Sequence, residues 1–185
     1  MLQKHVFNFL NIKISESNNT ISNNLKKKPN QKLISEEKRS RSASRLLAIQ
    51  ILYNYFLLNE KIEDLISKYM LSFESDLNEL FFIDNFDKDY FENIIKEFLV
   101  NNQSLESIIN SFLKSGWNIE RMSIIDKAIL NIGLVEIKIM PNTPIKTIIS
   151  EYVEMAYQLG GEPGFINYSL DSYSKNFNNN SKTID

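Results

Sequence analysis

The residues best suited to chemistry in this sequence are basic, and they lie close together. The run KRSRSASR at residues 38–45 contains three of the four arginines of the chain. An arginine guanidinium binds phosphate or a base edge through a planar, bidentate fork that lysine lacks. On a helix the basic side chains of this run share one side or reach the same groove: Lys38, Arg39, Arg41 and Arg45. The run indicates RNA binding, and the alternative is an exposed basic helix start without a partner.

Residues for catalysis or metal binding are scarce by comparison. The chain has no cysteine and a single histidine, His5. These counts exclude disulfides, thiol nucleophiles and cysteine-ligated zinc, together with a histidine-based triad or a two-histidine metal site. No glycine-rich phosphate loop of the GxGxxG or GxxxxGK type occurs. The sequence therefore predicts no cofactor and no metal site.

Two groups of carboxylates have spacings that deserve an explanation. Asp84, Asp87 and Asp89 are spaced like the first ligands of a calcium loop, but the glycine and the final glutamate of such a loop are missing. We interpret these aspartates as helix caps. Glu151 and Glu154 lie one turn apart, and we interpret them as part of a solvated helix face.

The charge distribution supports an anionic partner. The net charge of −2 conceals a basic front, because residues 1–45 carry ten basic and three acidic side chains, whereas residues 46–185 carry 11 and 20. Such asymmetry indicates nucleic acid or another anionic partner. The sequence contains no uninterrupted run of 18 apolar residues, and its first fourteen residues do not resemble a signal peptide. We therefore expect a cytoplasmic protein that does not contact a membrane.

Hydrophobic spacing predicts the elements that must position the basic run. Residues 1–35 are rich in Asn, Ser and Lys, which predicts a disordered basic leader. Residues 36–176 show apolar side chains at helical spacing and form the predicted folded domain, and residues 177–185 form a flexible tail. Ser35 is the expected N-cap of the helix that carries the run. The β-branched residues do not alternate, so the predicted fold class is all-α.

About seven helices are expected. They follow Ser35, cover roughly 61–72, follow Asp87, follow Ser104, begin close to Ser123, follow Thr143-Pro144 as far as Gly160-Gly161, and open at Pro163. Phe165, just after Gly164, has two interpretations. It is either an exposed aromatic that contacts a ligand or, as its type and place favour, an apolar side chain that fastens the helix start to the core.

Two stretches of the sequence, residues 45–57 and residues 120–171, together resemble the NusB family of transcription antitermination proteins. RLLAIQILYNYFL, residues 45–57, resembles the family pattern R-x-x-A-x-Q-x-L-Y. Residues 120–171 resemble its C-terminal half, with matches at Ala128-Ile129-Leu130, Glu136, Pro144, Ile149, Glu151, Val153-Glu154, Ala156, Gly160, Phe165-Ile166-Asn167 and Leu170-Asp171. The order and spacing of these matches extend the resemblance over about residues 36–175.

The resemblance implies a fold and a function. The family fold is two small helical bundles packed on each other, and the family is not catalytic. Its members bind boxA RNA in ribosomal RNA leaders together with ribosomal protein NusE, within an antitermination complex on RNA polymerase. Carried over by motif, RNA contact is expected at Lys38, Arg39, Arg41, Arg45, Tyr53, Phe165 and Asn167. Partner contact is expected at Glu120 and Asp126.

The sequence also departs from the family pattern. Ser42 and Ala43 interrupt the arginine run, Asn131 replaces a common arginine, and Tyr168 replaces a glycine. The lysines of the leader would supplement the thinner arginine set, and the alternative is that they serve solubility only. Neither the oligomeric state nor the preferred RNA sequence follows from these residues. The rival function is a helical protein-interaction adaptor that does not bind RNA.

Overall fold

A computed structural model describes residues 35–81, 83–113 and 119–181, and this part of the chain is helical and contains no strand. Six α-helices and one short 3₁₀ helix, Ile119–Arg121, follow one another. We number the helices α1 Glu36–Leu58, α2 Ile62–Phe81, α3 Lys88–Phe112, α4 Ile124–Ile139, α5 Ile145–Leu159 and α6 Pro163–Ser181. The predicted all-α class is confirmed, whereas most of the predicted leader lies outside the described residues.

The helices form two bundles that share one core. Helix α1 packs on α2 and α3, and the second bundle is made by α4, α5 and α6. Helix α4 joins the bundles because it also packs against α1 and α3. Helices α1 and α4 run antiparallel, since Arg45 meets Glu136 near one end and Phe56 meets Lys127 near the other. The basic run and the Phe56 end of α1 therefore lie at opposite ends of this helix pair.

Local capping explains where three of the helices begin. The Ser35 hydroxyl accepts a hydrogen bond from the Lys38 amide at 3.4 Å, and the Asp87 carboxylate accepts one from the Tyr90 amide at 3.0 Å. The Ser123 hydroxyl accepts from the Asp126 amide at 3.1 Å. These bonds satisfy amides that lack a partner within the helix. The predicted caps at Ser35 and Asp87 are confirmed, and α4 begins next to Ser123 as expected.

Several predicted boundaries are wrong. Ser104 does not start a helix: it lies inside α3, and its hydroxyl donates to the Asn101 carbonyl at 2.8 Å. No glycine or proline stands between residues 88 and 112 to break the helix. Helix α2 extends to Phe81, and α6 extends to Ser181, into the segment predicted as a tail. Thr143 makes no cap, because Pro144 occupies the capping position without a side-chain hydrogen bond.

The described helices also show whether a membrane-spanning segment is present and where the chain turns back on itself. Within the described residues, no helix combines the length and apolar character needed to cross a membrane. Helix α5 ends at Gly160, whose φ of 76° is a left-handed conformation that favours glycine. The predicted helix stop at this residue is confirmed, and it turns the chain back so that α6 packs against α5.

Candidate nucleic-acid interface

The first two turns of α1 present the basic residues, and we call Lys38, Arg39 and Arg41 the basic turn. Lys38 is exposed, whereas Arg39 and Arg41 are half-buried. The Arg41 guanidinium lies 3.2 Å from the Glu37 carboxylate and 3.8 Å from that of Asp87. With 38% of its side chain exposed, Arg41 is held loosely, because partly exposed ion pairs contribute little to stability.

Arg45 does not share this surface. Its residue exposure is only 4%, and its Nε and Nη2 atoms donate to the two carboxylate oxygens of Glu136 at 2.8 and 2.6 Å. Its Nη1 lies 3.3 Å from Glu151. The guanidinium is therefore occupied inside the protein, and the structure gives no surface on which Arg45 could contact RNA directly. The expectation that Arg45 joins the exposed arginines is corrected to an internal contact.

Two tyrosines complete the environment of the Arg45–Glu136 pair. The Tyr152 hydroxyl, fully buried, donates to Glu136 Oε2 at 2.6 Å. The Arg45 guanidinium carbon lies 5.5 Å from the centre of the Tyr90 ring. Burial raises the pKa of the Tyr152 phenol well above its usual value, and the charge of Glu136 raises it further. Burial alone would lower the pKa of Arg45, but its bonds to Glu136 hold that pKa above the ordinary value.

Two serines that follow the basic turn on α1 form hydrogen bonds with neighbouring helices. The Ser42 hydroxyl donates to Glu151 Oε2 at 2.7 Å, and the Ser44 hydroxyl donates to the Asp87 carbonyl at 2.7 Å. Glu151 thus bridges Ser42 and Arg45 and is not simply a solvated residue, whereas Glu154 is exposed as expected. Ala43 is fully buried, so it does not face a ligand. These contacts fix how α1 presents Lys38, Arg39 and Arg41.

A second candidate region lies at the other end of α4. Phe165 is half-buried and lines a groove of about 590 Å³ between the end of α3, the 3₁₀ helix and the start of α6. Tyr168, 60% exposed, lines the same groove together with Met122. Phe165 therefore combines the two interpretations, since it packs against the core and also faces a groove.

Asp126, expected to contact a partner, is buried and used within the fold. Its carboxylate accepts from the Ser123 hydroxyl at 2.5 Å and from the Glu162 amide at 2.8 Å. A Cβ atom on Gly161 would stand 2.5 Å from Asp126 Oδ1. Only a residue without a Cβ atom at position 161 therefore lets the Asp126 carboxylate come this close. The preceding residue, Gly160, provides the helix stop. Asp126 shapes the groove wall by joining the start of α4 to the turn before α6.

The remaining candidates are distributed over the molecule. Tyr53 is half-buried on α1, twelve residues after Arg41, which is about 18 Å along the helix axis. Asn167 is exposed on the first turns of α6. Glu120 lies in the 3₁₀ helix, and its side chain is outside the described residues. Most of the predicted residues thus lie in two regions, the basic turn and the groove with the adjoining start of α6, and Tyr53 lies apart from both.

Sequence reasoning missed the role of Glu136, although a signal was present. Glu136 stands in the stretch ILNIGLVEIKI, which is otherwise strongly apolar. A carboxylate in such a stretch is buried with its helix face and requires a positive partner. Only the packing of α1 on α4 identifies that partner as Arg45.

Comparison with known proteins identifies related sequences. The NusB family profile matches residues 42–175. Transcription antitermination protein NusB of Sphingopyxis alaskensis is 33% identical over 138 residues, covering 74% of this chain and 93% of the relative. The protein of the same name from Caulobacter vibrioides is 30% identical, covering 73% and 92%. The similarity therefore includes nearly the whole length of these relatives.

Solved structures show the same fold. A crystal form of NusB from T. maritima aligns with a TM-score of 0.57 and 24% identity, covering 73% of this chain and 90% of that one. A chain in a crystal structure described as a plectonemic RNA supercoil aligns with a TM-score of 0.60 and 22% identity, covering 75% and 96%. At these identities the likeness supports the arrangement of helices.

Proposed function

Because the chain belongs to the NusB family of transcription antitermination proteins, we propose that it binds boxA RNA of ribosomal RNA leaders together with ribosomal protein NusE. In this proposal it is a non-enzymatic member of an antitermination complex on RNA polymerase. A chain of this fold also occurs in the crystal structure described as an RNA supercoil, which agrees with an RNA ligand.

The observation that carries the proposal is the basic turn. Lys38 is exposed, and Arg41 keeps more than a third of its side chain accessible in contacts that a phosphate can replace. Protein–RNA affinity depends strongly on such neutralisation of phosphates by lysine and arginine. Arg39 lies on the same two turns of α1. We assign phosphate contact to these three side chains.

In this proposal Arg45 positions the basic turn and does not contact the RNA itself. Its bidentate pair with Glu136 fixes α1 against α4, and Glu151 links it to Ser42. These bonds hold the basic turn at a defined angle, so fewer conformations are lost when RNA binds. Arg45 is therefore a positioning residue, and its loss would weaken RNA binding through the shape of α1.

We assign the second region, which is the Phe165 groove with the start of α6, to contacts with NusE and with unstacked bases of the RNA. Phe165 and Asn167 stand at the start of α6, where Phe165 borders the groove and Asn167 is exposed. Aromatic rings in such places stack on single-stranded bases. Tyr53 would lie along the path from the basic turn. Glu120 and the Asp126-supported groove wall then face NusE.

The test is a binding titration with boxA-containing single-stranded RNA and a scrambled strand of equal length. We expect Lys38→Ala to weaken boxA binding several-fold, because one phosphate contact is lost. Lys96→Ala is the matched control, since Lys96 is an exposed lysine on α3. Circular dichroism of both variants should match that of the unaltered protein.

Capture of NusE in the presence and absence of RNA separates the two functions that the sequence left open. Cooperative capture, stronger with boxA than with scrambled RNA, supports the antitermination role. Equal and weak binding of both RNAs, with NusE captured regardless, would support the protein-interaction adaptor instead.

A further inference from the structure

A second cavity, separate from the basic turn and from the Phe165 groove, lies between the end of α1, the middle of α3 and the start of α4. Its volume is about 310 Å³. We call it the amide cavity, because four carboxamide side chains line it: Asn59, Asn102, Gln103 and Asn131. It adjoins Lys127, the residue after Asp126, so it flanks the same end of α4 as the groove.

The carboxamides of the amide cavity have unused hydrogen-bonding capacity. Asn131 is almost completely buried, and its Nδ2 donates to the Lys127 carbonyl at 2.7 Å. Among the described residues, no group donates to Asn131 Oδ1. The side chains of Asn102 and Gln103 likewise form no hydrogen bond with the described part of the chain. Asn59 and Gln103 are exposed and Asn102 is half-buried, so the amides of this cavity remain available to a polar ligand from solvent.

Aromatic rings and one cation supply the other walls. Tyr55, Phe56 and Phe98 contact one another with ring centres 5.3 to 6.2 Å apart. Lys127 Nζ lies 4.5 Å from the centre of the Phe56 ring and 3.5 Å from the Glu106 carboxylate. The pair with Glu106 is partly exposed and weak. Lys127 can therefore turn towards a phosphate at the mouth of the cavity.

We propose that the amide cavity accepts one unpaired base of the bound RNA. This inference rests on the proposed function and adds a base-reading subsite to it. Carboxamides supply both donors and acceptors for a base edge, and aromatic walls favour a planar ring. The volume is at the lower limit for ligand pockets, which suits a single base. The site lies beside the Phe165 groove, at the far end of α1 from the basic turn.

The experiment compares RNA strands that lack one base with protein variants that lack the amides. A boxA-containing strand is made as a series in which each nucleotide in turn is abasic. For the unaltered protein we expect one position at which base removal weakens binding about tenfold. The double variant Asn102→Ala/Gln103→Ala should bind the complete strand more weakly, by a comparable factor. In that variant, base removal at the same position should have little further effect.

Asn93→Ala is the control, because Asn93 is an exposed amide on α3 outside the cavity. It should respond to the abasic series as the unaltered protein does. Asn131→Ala is a second test, provided that its circular dichroism matches the unaltered protein. The loss of response at one RNA position separates base contact from a general structural defect, which would weaken all strands equally.

Three results would overturn the inference. If the double variant binds every strand as the unaltered protein does, no base enters the cavity. If it loses NusE capture without RNA while its RNA binding stays normal, the cavity takes a protein side chain. If the unaltered protein does not distinguish boxA from scrambled RNA, the proposed function fails and the subsite fails with it.

Discussion

The two ends of the α1–α4 pair use their polar residues in opposite ways. At the Arg45 end, a buried arginine, glutamate and tyrosine satisfy one another. At the Lys127 end, carboxamides surround open space, and an apolar groove lies beside them. From this difference we infer that Arg45, the most conspicuous charged residue of the motif, supports the fold, and that the proposed binding surfaces are formed by other residues.

The contacts below the basic turn also support it as the proposed binding surface. A helix start with several like charges repels itself and frays unless other contacts hold it. Here Ser42, Ser44 and Arg45 bind Glu151, Asp87 and Glu136, on three different helices or helix starts. The charges of the basic turn are consequently displayed on a rigid base.

The largest expected effect comes from removing the charge that pairs with Arg45 at the Arg45 end of the α1–α4 pair. Glu136→Gln leaves the Arg45 charge buried without its main partner, so the free energy of unfolding should fall by about 3–5 kcal/mol. Urea unfolding followed by circular dichroism measures it. Glu92→Gln, on the exposed face of α3, is the control and should change stability by less than about 0.5 kcal/mol. Equal, small effects of the two variants would show that the pair does not stabilise the fold.

At the groove end, two glycines should respond with opposite signs. Gly161→Ala places a Cβ against Asp126 Oδ1 and breaks the bond to the Glu162 amide, which should cost about 1–3 kcal/mol. Gly164→Ala meets no atom within 4 Å in the first turn of α6, so it should stabilise the protein by about 0.4–1 kcal/mol by lowering the entropy of the unfolded chain. Thermal unfolding compares them. A destabilised Gly164→Ala with an unaffected Gly161→Ala would refute this account of the turn.

A smaller, pH-dependent effect should report on Tyr152. Its pKa in the folded protein is raised by burial and then by Glu136, above the usual value of about 10. The unfolded chain therefore releases this proton first, and the associated stability is complete below pH 10 and declines as pH rises further. This hydroxyl should account for up to about 1.4 kcal/mol per pH unit, which Tyr152→Phe should remove. Urea titrations at several alkaline pH values test it, and identical slopes would contradict it.

The sequence predicts the helical class well because apolar residues recur at helical spacing and three of the helices begin at a local side-chain cap. Ser35 and Asp87 are examples, since both act on amides within three residues. The continuous α3 was missed because a serine that could cap a helix, Ser104, also fits inside one. Local signals do not distinguish these two cases.

The candidate binding site was predictable only in part. The basic turn follows from spacing along a single helix. The burial of Arg45 depends on Glu136, which is 91 residues away in the sequence. The amide cavity takes its lining from three α-helices, the residue after α1 and the 3₁₀ helix, so no local sequence pattern predicts it. Contacts between distant segments decide which polar residues are used internally and which remain available to a ligand.

We infer that the basic turn neutralises RNA phosphates while Arg45 supports it from inside the protein. The most direct test is the salt dependence of boxA RNA binding by the variant Lys38→Ala/Arg41→Ala, compared with Lys96→Ala/Lys146→Ala, two exposed lysines elsewhere. Loss of two phosphate contacts should reduce the slope of log affinity against log salt by about 1.4, because each contact to a single strand contributes about 0.7. The control should keep the slope of the unaltered protein. An unchanged slope in the basic-turn variant would contradict the claim.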